Sequence, residues 1–386
     1  MTGGNNSTYR KHNSFVGLRH RQEGIQEKVL ARIQALRDNP ERGAGLPEAF
    51  QPILARALRD ILADDTADAP ALRLTTNVVD EINTCSDSEL PRYLVHRYRY
   101  EVYPQLAELD DYPPYLQIEP SSICNYRCVF CFESDKSFTR HSAGFMGYMP
   151  FDLFQRIIDE ASGNIEFLSL ASRGEPLLCP DIEKMLAYTR GKFLNLKMNT
   201  NASVLDERKC HAILQGGVKT LVFSADAAAE PLYSQLRVGG KLDKVLANIE
   251  RFQNIRATQY PDANIITRVS GVKMSDQQDL DEMQSLWGGL ADQVAFVSYN
   301  PWEDTYHRPV NEISRRCSDL WRRMFVWWDG KVNPCDVDYK STLAVGNLQD
   351  AGISELWRSS GYTALREAHL AGKRVDAEPC KRCSVI

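Results

Sequence analysis

The chain has 386 residues, enough for a large buried core and more than one domain. Its charged residues, 25% of the total, sum to a net charge of only −5, which gives no sign of nucleic acid or an anionic membrane as a partner. No uncharged run reaches the roughly 18 residues of a membrane helix, and the first residues lack the apolar core of a secretory signal, so a cytoplasmic location is expected.

Residues 1–21 are polar and without periodicity, and are expected to form a mobile arm. Apolar residues at Ile25, Val29, Leu30, Ile33 and Leu36 predict a helix over 23–37, ended by the Gly- and Pro-containing stretch 39–47. A second helix is predicted over 48–62, with Phe50, Ile53, Leu54, Ala57, Leu58 and Ile61 on one stripe, followed by an acidic linker at 64–70. A third, over 89–103, carries Tyr93, Leu94, Arg97, Tyr98 and Tyr100, expected to pack this helical extension (residues 1–110) onto the next domain.

Pro113 and Pro114 mark a boundary. Beyond it, strands predicted at 115–119, 165–170, 194–199, 218–224, 265–269 and 294–298 alternate with helices at 151–161, 182–189, 205–214, 242–252 and 278–287. Such alternation requires a parallel sheet, with chemistry on loops at the carboxyl ends of the strands. Directly after the first strand come Cys124, Cys128 and Cys131, spaced C-x3-C-x2-C. Four cysteines are the norm for a cubane iron–sulfur cluster, so three on one tight loop suit a cluster with one open corner. Zinc loops instead pair cysteines as C-x2-4-C with a second pair nearby. Ten cysteines in a chain of this kind argue for metal or catalysis rather than disulfides. Of these, Cys85, Cys179 and Cys210 stand alone and read as small buried or semi-buried residues.

The cysteine loop and its place after the first strand resemble the radical S-adenosylmethionine superfamily. The resemblance implies an α/β fold, a partial (β/α)6 TIM-like barrel over residues 111–310. It also implies that the open iron binds S-adenosylmethionine, which one electron cleaves to methionine and a hydrogen-abstracting 5′-deoxyadenosyl radical. Arg173-Gly174-Glu175-Pro176 is similar to the family's Gly-Gly-Glu-Pro motif, with Arg173 in place of the first glycine. Gly174 and Glu175, with Asn199, Ser224, Arg237 and Phe130, thus become implied contacts of S-adenosylmethionine. Arg268 in the fifth strand faces either barrel or solvent; facing inward, it would clamp a carboxylate. After the sixth strand, Glu303, Asp304, Tyr306 and His307 are candidate substrate ligands or bases.

Cys317, Cys335, Cys380 and Cys383 complete the pattern. Asp329-Gly330 signals a hairpin between strands at 324–328 and 331–333, followed by a helix at 353–357. Residues 311–386 resemble the Twitch extension, a short SPASM domain. Four cysteines close every corner of one auxiliary 4Fe–4S cluster, whose task is then electron transfer. Only three residues follow Cys383, so ligands for a second auxiliary cluster are not expected. Together these features resemble dehydrogenases of the 2-deoxy-scyllo-inosamine dehydrogenase type, which oxidise aminocyclitols and sugars in antibiotic biosynthesis. The implied reaction removes a hydrogen atom from a carbinol carbon and leaves a ketone. It needs two 4Fe–4S clusters and an external one-electron donor such as flavodoxin or ferredoxin. The alternatives are a radical epimerase with Cys179 or Cys210 as thiol donor, a peptide maturase, and a non-catalytic iron–sulfur or zinc scaffold. Many peptide-modifying relatives carry an N-terminal winged-helix domain with a three-stranded sheet, and the first hundred residues show no such hairpin.

Overall fold

The computed structural model describes residues 15–18, 24–43, 45–63 and 70–386. Its strands are β1 (Phe15–Leu18), β2 (Tyr115–Ile118), β3 (Arg127–Cys128), β4 (Phe167–Leu170), β5 (Asn195–Thr200), β6 (Thr220–Ser224), β7 (Arg237–Val238), β8 (Ile266–Lys273), β9 (Gln293–Ser298), β10 (Arg323–Val326), β11 (Lys331–Asn333) and β12 (Gly346–Asn347). Six of them, in the order β2-β4-β5-β6-β8-β9, pair in parallel. Helices at Phe151–Ala161, Ile182–Thr189, Glu207–Gln215, Leu242–Gln259 and Leu280–Gly288 make the crossovers, giving the α/β arrangement of a partial (β/α)6 barrel. Alternate strand residues point to opposite faces, so Leu116, Ile118, Leu168, Leu170, Leu196 and Met198 join the helices in the main core. The polar residues between them face the barrel interior.

Two features of the sheet depart from expectation. Within the expected mobile arm, Phe15–Leu18 forms β1, antiparallel to β9 on the sheet edge; the rest of the arm, and residues 64–69 of the acidic linker, lie outside the described residues. Four residues carry too little periodicity to announce a strand, and pairing with an open edge decides their conformation. The second feature is β10, which pairs in parallel with β2 (Met324 opposite Leu116, Val326 opposite Ile118). The carboxyl-terminal part therefore continues the barrel sheet through β10, β11 and β12. Gly330, at φ 82°, makes the β10–β11 turn, where a Cβ would lie 2.5 Å from Asn347 Oδ1.

The amino-terminal helices are Ile25–Asp38, Gln51–Leu62, Thr76–Thr84 and Leu90–Glu101; the third was not anticipated. Their shared core includes Val29, Ile33, Leu54, Ile82 and Leu94, together with Phe167 and Leu194 at the starts of the barrel strands. The His96 ring stacks on Phe167 at 3.6 Å between centroids, and Tyr100 packs near Tyr115 at 5.9 Å. Such aromatic pairs add about 0.5–1.5 kcal/mol each beyond burial. The helices thus close the amino ends of the strands and leave the carboxyl ends open.

Candidate active site at the carboxyl ends of the strands

Cys124, Cys128 and Cys131 line a cavity of about 360 Å³ at the carboxyl ends of the barrel strands. Their loop is pinned at its root, where Ser122 N donates to Gly147 O (3.1 Å) and Gly147 N donates back to Ser122 Oγ (2.7 Å). Farther along, β3 pairs with β7, which sets Arg237 opposite Cys128, its Nη1 3.8 Å from Sγ. Tyr126 N donates to Cys124 Sγ at 3.4 Å, and Asn201 Nδ2 approaches the same sulfur at 3.8 Å. Burial pushes the Cys124 thiol up to about 12 and raises Cys128 and Cys131 as well. Three such buried thiolates need a cationic centre between them, which an iron–sulfur cluster supplies. This donor set, with N–H groups aimed at sulfur, fits that group.

The Arg173–Pro176 turn closes one side. A Cβ on Gly174 would lie 2.4 Å from Ser121 O, so only glycine fits against the root of the cysteine loop. Glu175 is buried; its Oε2 accepts from Asn201 N (2.7 Å), and its Oε1 from Thr200 Oγ1 (2.7 Å) and Leu177 N (3.1 Å). Burial still raises its pKa against these bonds. Arg173 lines the cavity too, and its guanidinium is held by Glu119, Nη2 to Oε1 2.6 Å, and donates Nη1 to Tyr339 O at 2.8 Å. Phe130, Asn199, Ser224 and Arg237 all line the cavity. The buried Asn199 Oδ1 has no hydrogen-bond partner among the described residues, leaving an acceptor for a bound molecule.

The cavity is also lined by Glu133 and Asp336, which the sequence did not single out, and by Asp226 and Trp302, which lie in the predicted strand-end and loop motifs but were not named as ligands. Glu133 is 2% exposed. Neither of its oxygens has a hydrogen-bond partner among the described residues, although Arg127 Nη1 lies 3.2 Å from Oε2. Burial pushes its carboxyl up to about 8. Asp226 pairs with Arg237, Nε 2.5 Å from Oδ2, and accepts from Val272 N at 2.6 Å. Burial raises the Asp226 pKa, which Arg237 opposes. Glu133, two residues past Cys131, and Asp226, two past Ser224, were visible as carboxylates beside motif residues. Asp336 follows Cys335 directly, but only the fold turns it toward the barrel.

Other predicted residues do not reach the cavity. Arg268 donates Nε and Nη2 to Gln293 Oε1, at 2.9 and 2.6 Å, and is not among the residues lining the cavity. Glu303 accepts from the Tyr299 hydroxyl, and of these two only Tyr299 lines the cavity. Asp304 and His307 are exposed. Tyr306 donates to Asp338 Oδ1 at 2.7 Å and accepts from Lys340 N at 2.8 Å, which buries its hydroxyl in the carboxyl-terminal part. These side chains follow or lie in a short 3-10 turn at Trp302–Asp304, and the Tyr306 hydroxyl is held by Asp338 and Lys340 instead.

Cys317, Cys335, Cys380 and Cys383 line a second, small cavity together with His369 and Arg374. No group of three or more His, Cys, Asp or Glu among the described residues is drawn in tightly enough to hold a single metal ion. Arg374 is 1% exposed and donates to four backbone carbonyls: Nη1 to Arg315 O and Val385 O, Nη2 to Cys380 O and Cys383 O. Val385 N donates to Cys383 Sγ at 3.4 Å. Burial pushes Cys317 up to about 12, so these thiols too need a cationic centre to ionise.

No helix among the described residues is long and apolar enough to cross a membrane. A family model of the radical SAM superfamily matches residues 118–281, and one of an iron–sulfur cluster-binding domain, SPASM, matches 317–384. The chain is 26% identical over 220 residues to a GTP 3′,8-cyclase of Clostridium botulinum, covering 53% of this chain and 64% of that protein, less than two thirds of its length. It is 22% identical over 280 residues to the S-adenosyl-L-methionine-dependent 2-deoxy-scyllo-inosamine dehydrogenase of Niallia circulans, covering 70% of this chain and 92% of the relative. Among solved structures, Streptococcus suis SuiB bound to precursor peptide SuiA superposes with a TM-score of 0.52 at 14% identity, covering 95% of this chain and 92% of that one, a likeness of fold alone. The three-cysteine loop, the parallel strand order and both domain matches agree: the chain contains a radical SAM domain over residues 118–281, followed by an iron–sulfur cluster-binding SPASM domain over 317–384.

Proposed function

We propose that the chain is an oxidoreductase that takes a hydrogen atom from a carbinol carbon of a sugar or aminocyclitol and passes the second electron to an auxiliary cluster, leaving a ketone. In this reading Cys124, Cys128 and Cys131 hold the site cluster, and Cys317, Cys335, Cys380 and Cys383 hold the auxiliary one. Phe130, Gly174, Glu175, Asn199, Ser224 and Arg237 surround S-adenosylmethionine. When bound, these groups supply hydrogen-atom abstraction and an acceptor for one electron. The chain's own residues do the rest. Glu175 fixes the Thr200–Asn201 loop, and Arg237 offsets the charge of Asp226 and the thiolates. Glu133 and Asp336 present carboxyl groups to the substrate hydroxyls, and Glu133 in its ionised form, which Arg127 favours, is our candidate to take the hydroxyl proton. Phe130, Phe132, Tyr299 and Trp302 give the cavity aromatic walls that limit water.

One observation carries this reading: adjacent residues of one segment line the two cavities. Cys335 lines the auxiliary cavity and the next residue, Asp336, lines the main one. Trp302 lines the main cavity and packs on the cluster of Val337, Cys383 and Val385, against which Cys317 and Cys335 also pack. Once the substrate loses its hydrogen atom and its hydroxyl proton, the remaining electron has a short route out. An epimerase is favoured less. The thiols lining the main cavity are the three motif cysteines, while Cys179 and Cys210 are buried between sheet and helices.

The test is 5′-deoxyadenosine release by the anaerobically reconstituted protein with reductant, using flavodoxin or ferredoxin as the candidate donors. Stimulation by aminocyclitols or sugars supports the proposal. Stimulation by peptide fractions alone replaces it with a peptide maturase, and an isobaric product carrying one solvent deuterium replaces it with an epimerase.

A further inference from the structure

His369 lines the small cavity of Cys317, Cys335, Cys380 and Cys383 and is 2% exposed. Its Nδ1 accepts a hydrogen bond from Cys317 N at 3.2 Å. A ring nitrogen that accepts carries no proton, so the neutral ring bears its proton on Nε2. That Nε2 is buried and has no partner among the described residues. A buried N–H without an acceptor costs free energy comparable to a lost hydrogen bond. The cavity that His369 lines is lined by all four of these cysteines.

We propose that His369 is a positioning residue that tunes the auxiliary cluster: its Nε2–H donates to a cluster sulfur, while the Cys317 amide fixes the ring and its tautomer. The inference rests on the cluster assignment above. A hydrogen bond to sulfur stabilises the more negative, reduced state, and so raises the reduction potential. In the proposed reaction this makes the auxiliary cluster a better acceptor for the electron leaving the substrate. The neighbouring Arg374, bonded to the Cys380 and Cys383 carbonyls, acts in the same direction through its charge.

The test uses the full-length chain with Cys124, Cys128 and Cys131 all replaced by Ala, so that only the auxiliary cluster remains. In this background His369→Asn keeps an acceptor for the Cys317 amide but cannot reach the cluster, whereas His369→Gln keeps a donor at the far position. The expected result is an equilibrium constant for reduction that falls about tenfold in His369→Asn, equivalent to about 59 mV for one electron, and a near-parental value in His369→Gln. A solvent-exchangeable proton coupling in the pulsed EPR spectrum of the reduced cluster should be present in the parent and absent in His369→Asn. If His369→Asn fails to retain its cluster, the proton coupling in the parent and in His369→Gln decides: its absence in both overturns the inference. Equal potentials in parent and His369→Asn, with about four irons bound in each, overturn the inference alone. Absence of bound iron in the parent overturns the cluster assignment, and the inference with it.

Discussion

Arg173 and Glu119 form an ion pair sealed from water: Nη2 lies 2.6 Å from Oε1, and the two side chains are 2% and 0% exposed. Arg173 Nε and backbone N both donate to Glu119 Oε2, and the guanidinium lies 4.2 Å from the Trp327 ring centroid. The arginine that breaks the Gly-Gly-Glu-Pro pattern thus ties the end of β2 to the carboxyl-terminal part. Removing one partner of such a pair leaves a bare buried charge, at a cost of about 3–5 kcal/mol. Arg173→Met should lower stability by that amount in chemical denaturation. Arg173→Met combined with Glu119→Leu should cost less than the sum of the single changes.

Gly174→Ala places a methyl group against the backbone at Ser121, which cannot swing aside. Overpacking of this kind costs about 1–3 kcal/mol. The expected outcome is S-adenosylmethionine affinity reduced about tenfold or more in equilibrium dialysis, with iron content unchanged.

Asp135 links the segment after the cysteine loop to the carboxyl-terminal part through Lys340 Nζ (2.7 Å) and the Tyr339 hydroxyl (2.8 Å). Desolvation pushes its carboxyl up, but hydrogen bonds from Lys340, Ser137 and Tyr339 outweigh it and hold the group well below the usual carboxylate range. A carboxylate depressed on folding stabilises the native state above its unfolded pKa of about 3.9, and loses that contribution as pH falls toward the folded value. Asp135→Asn should therefore be less stable at neutral pH. The gap to the parent should close in thermal unfolding below about pH 4.

Trp302→Leu should leave both clusters bound while removing the ring that lines the main cavity and packs against Val337, Cys383 and Val385. We expect 5′-deoxyadenosine to form at a near-parental rate while ketone per 5′-deoxyadenosine falls severalfold, as measured by mass spectrometry of both products. An unchanged ratio would remove Trp302 from the electron route.

The barrel was legible because its signals are local. Helices at Phe151–Ala161 and Ile182–Thr189 begin and end where the apolar spacing said, and the strands fall within a few residues of their expected places. The pairing of β10 with β2 was not legible, because it joins segments about two hundred residues apart through backbone bonds that carry no sequence pattern. The loop after β9 misled for a related reason. Its Glu303, Asp304, Tyr306 and His307 have the right chemistry, but none of them lines the cavity, and the Tyr306 hydroxyl is held by Asp338 instead. Glu133 stood in view beside Cys131, but only the cavity singles out it and Asp336 as site residues.

The most direct measurement is the fate of one deuterium. An aminocyclitol or sugar deuterated at its carbinol carbon would be turned over by the reduced holoenzyme, and by a Cys335→Ala, Cys380→Ala variant. The holoenzyme should move the deuterium into 5′-deoxyadenosine and give one ketone per 5′-deoxyadenosine, whereas the variant should move the deuterium but accumulate little ketone. Full ketone yield from the variant, or no deuterium in 5′-deoxyadenosine from the holoenzyme, would contradict the account.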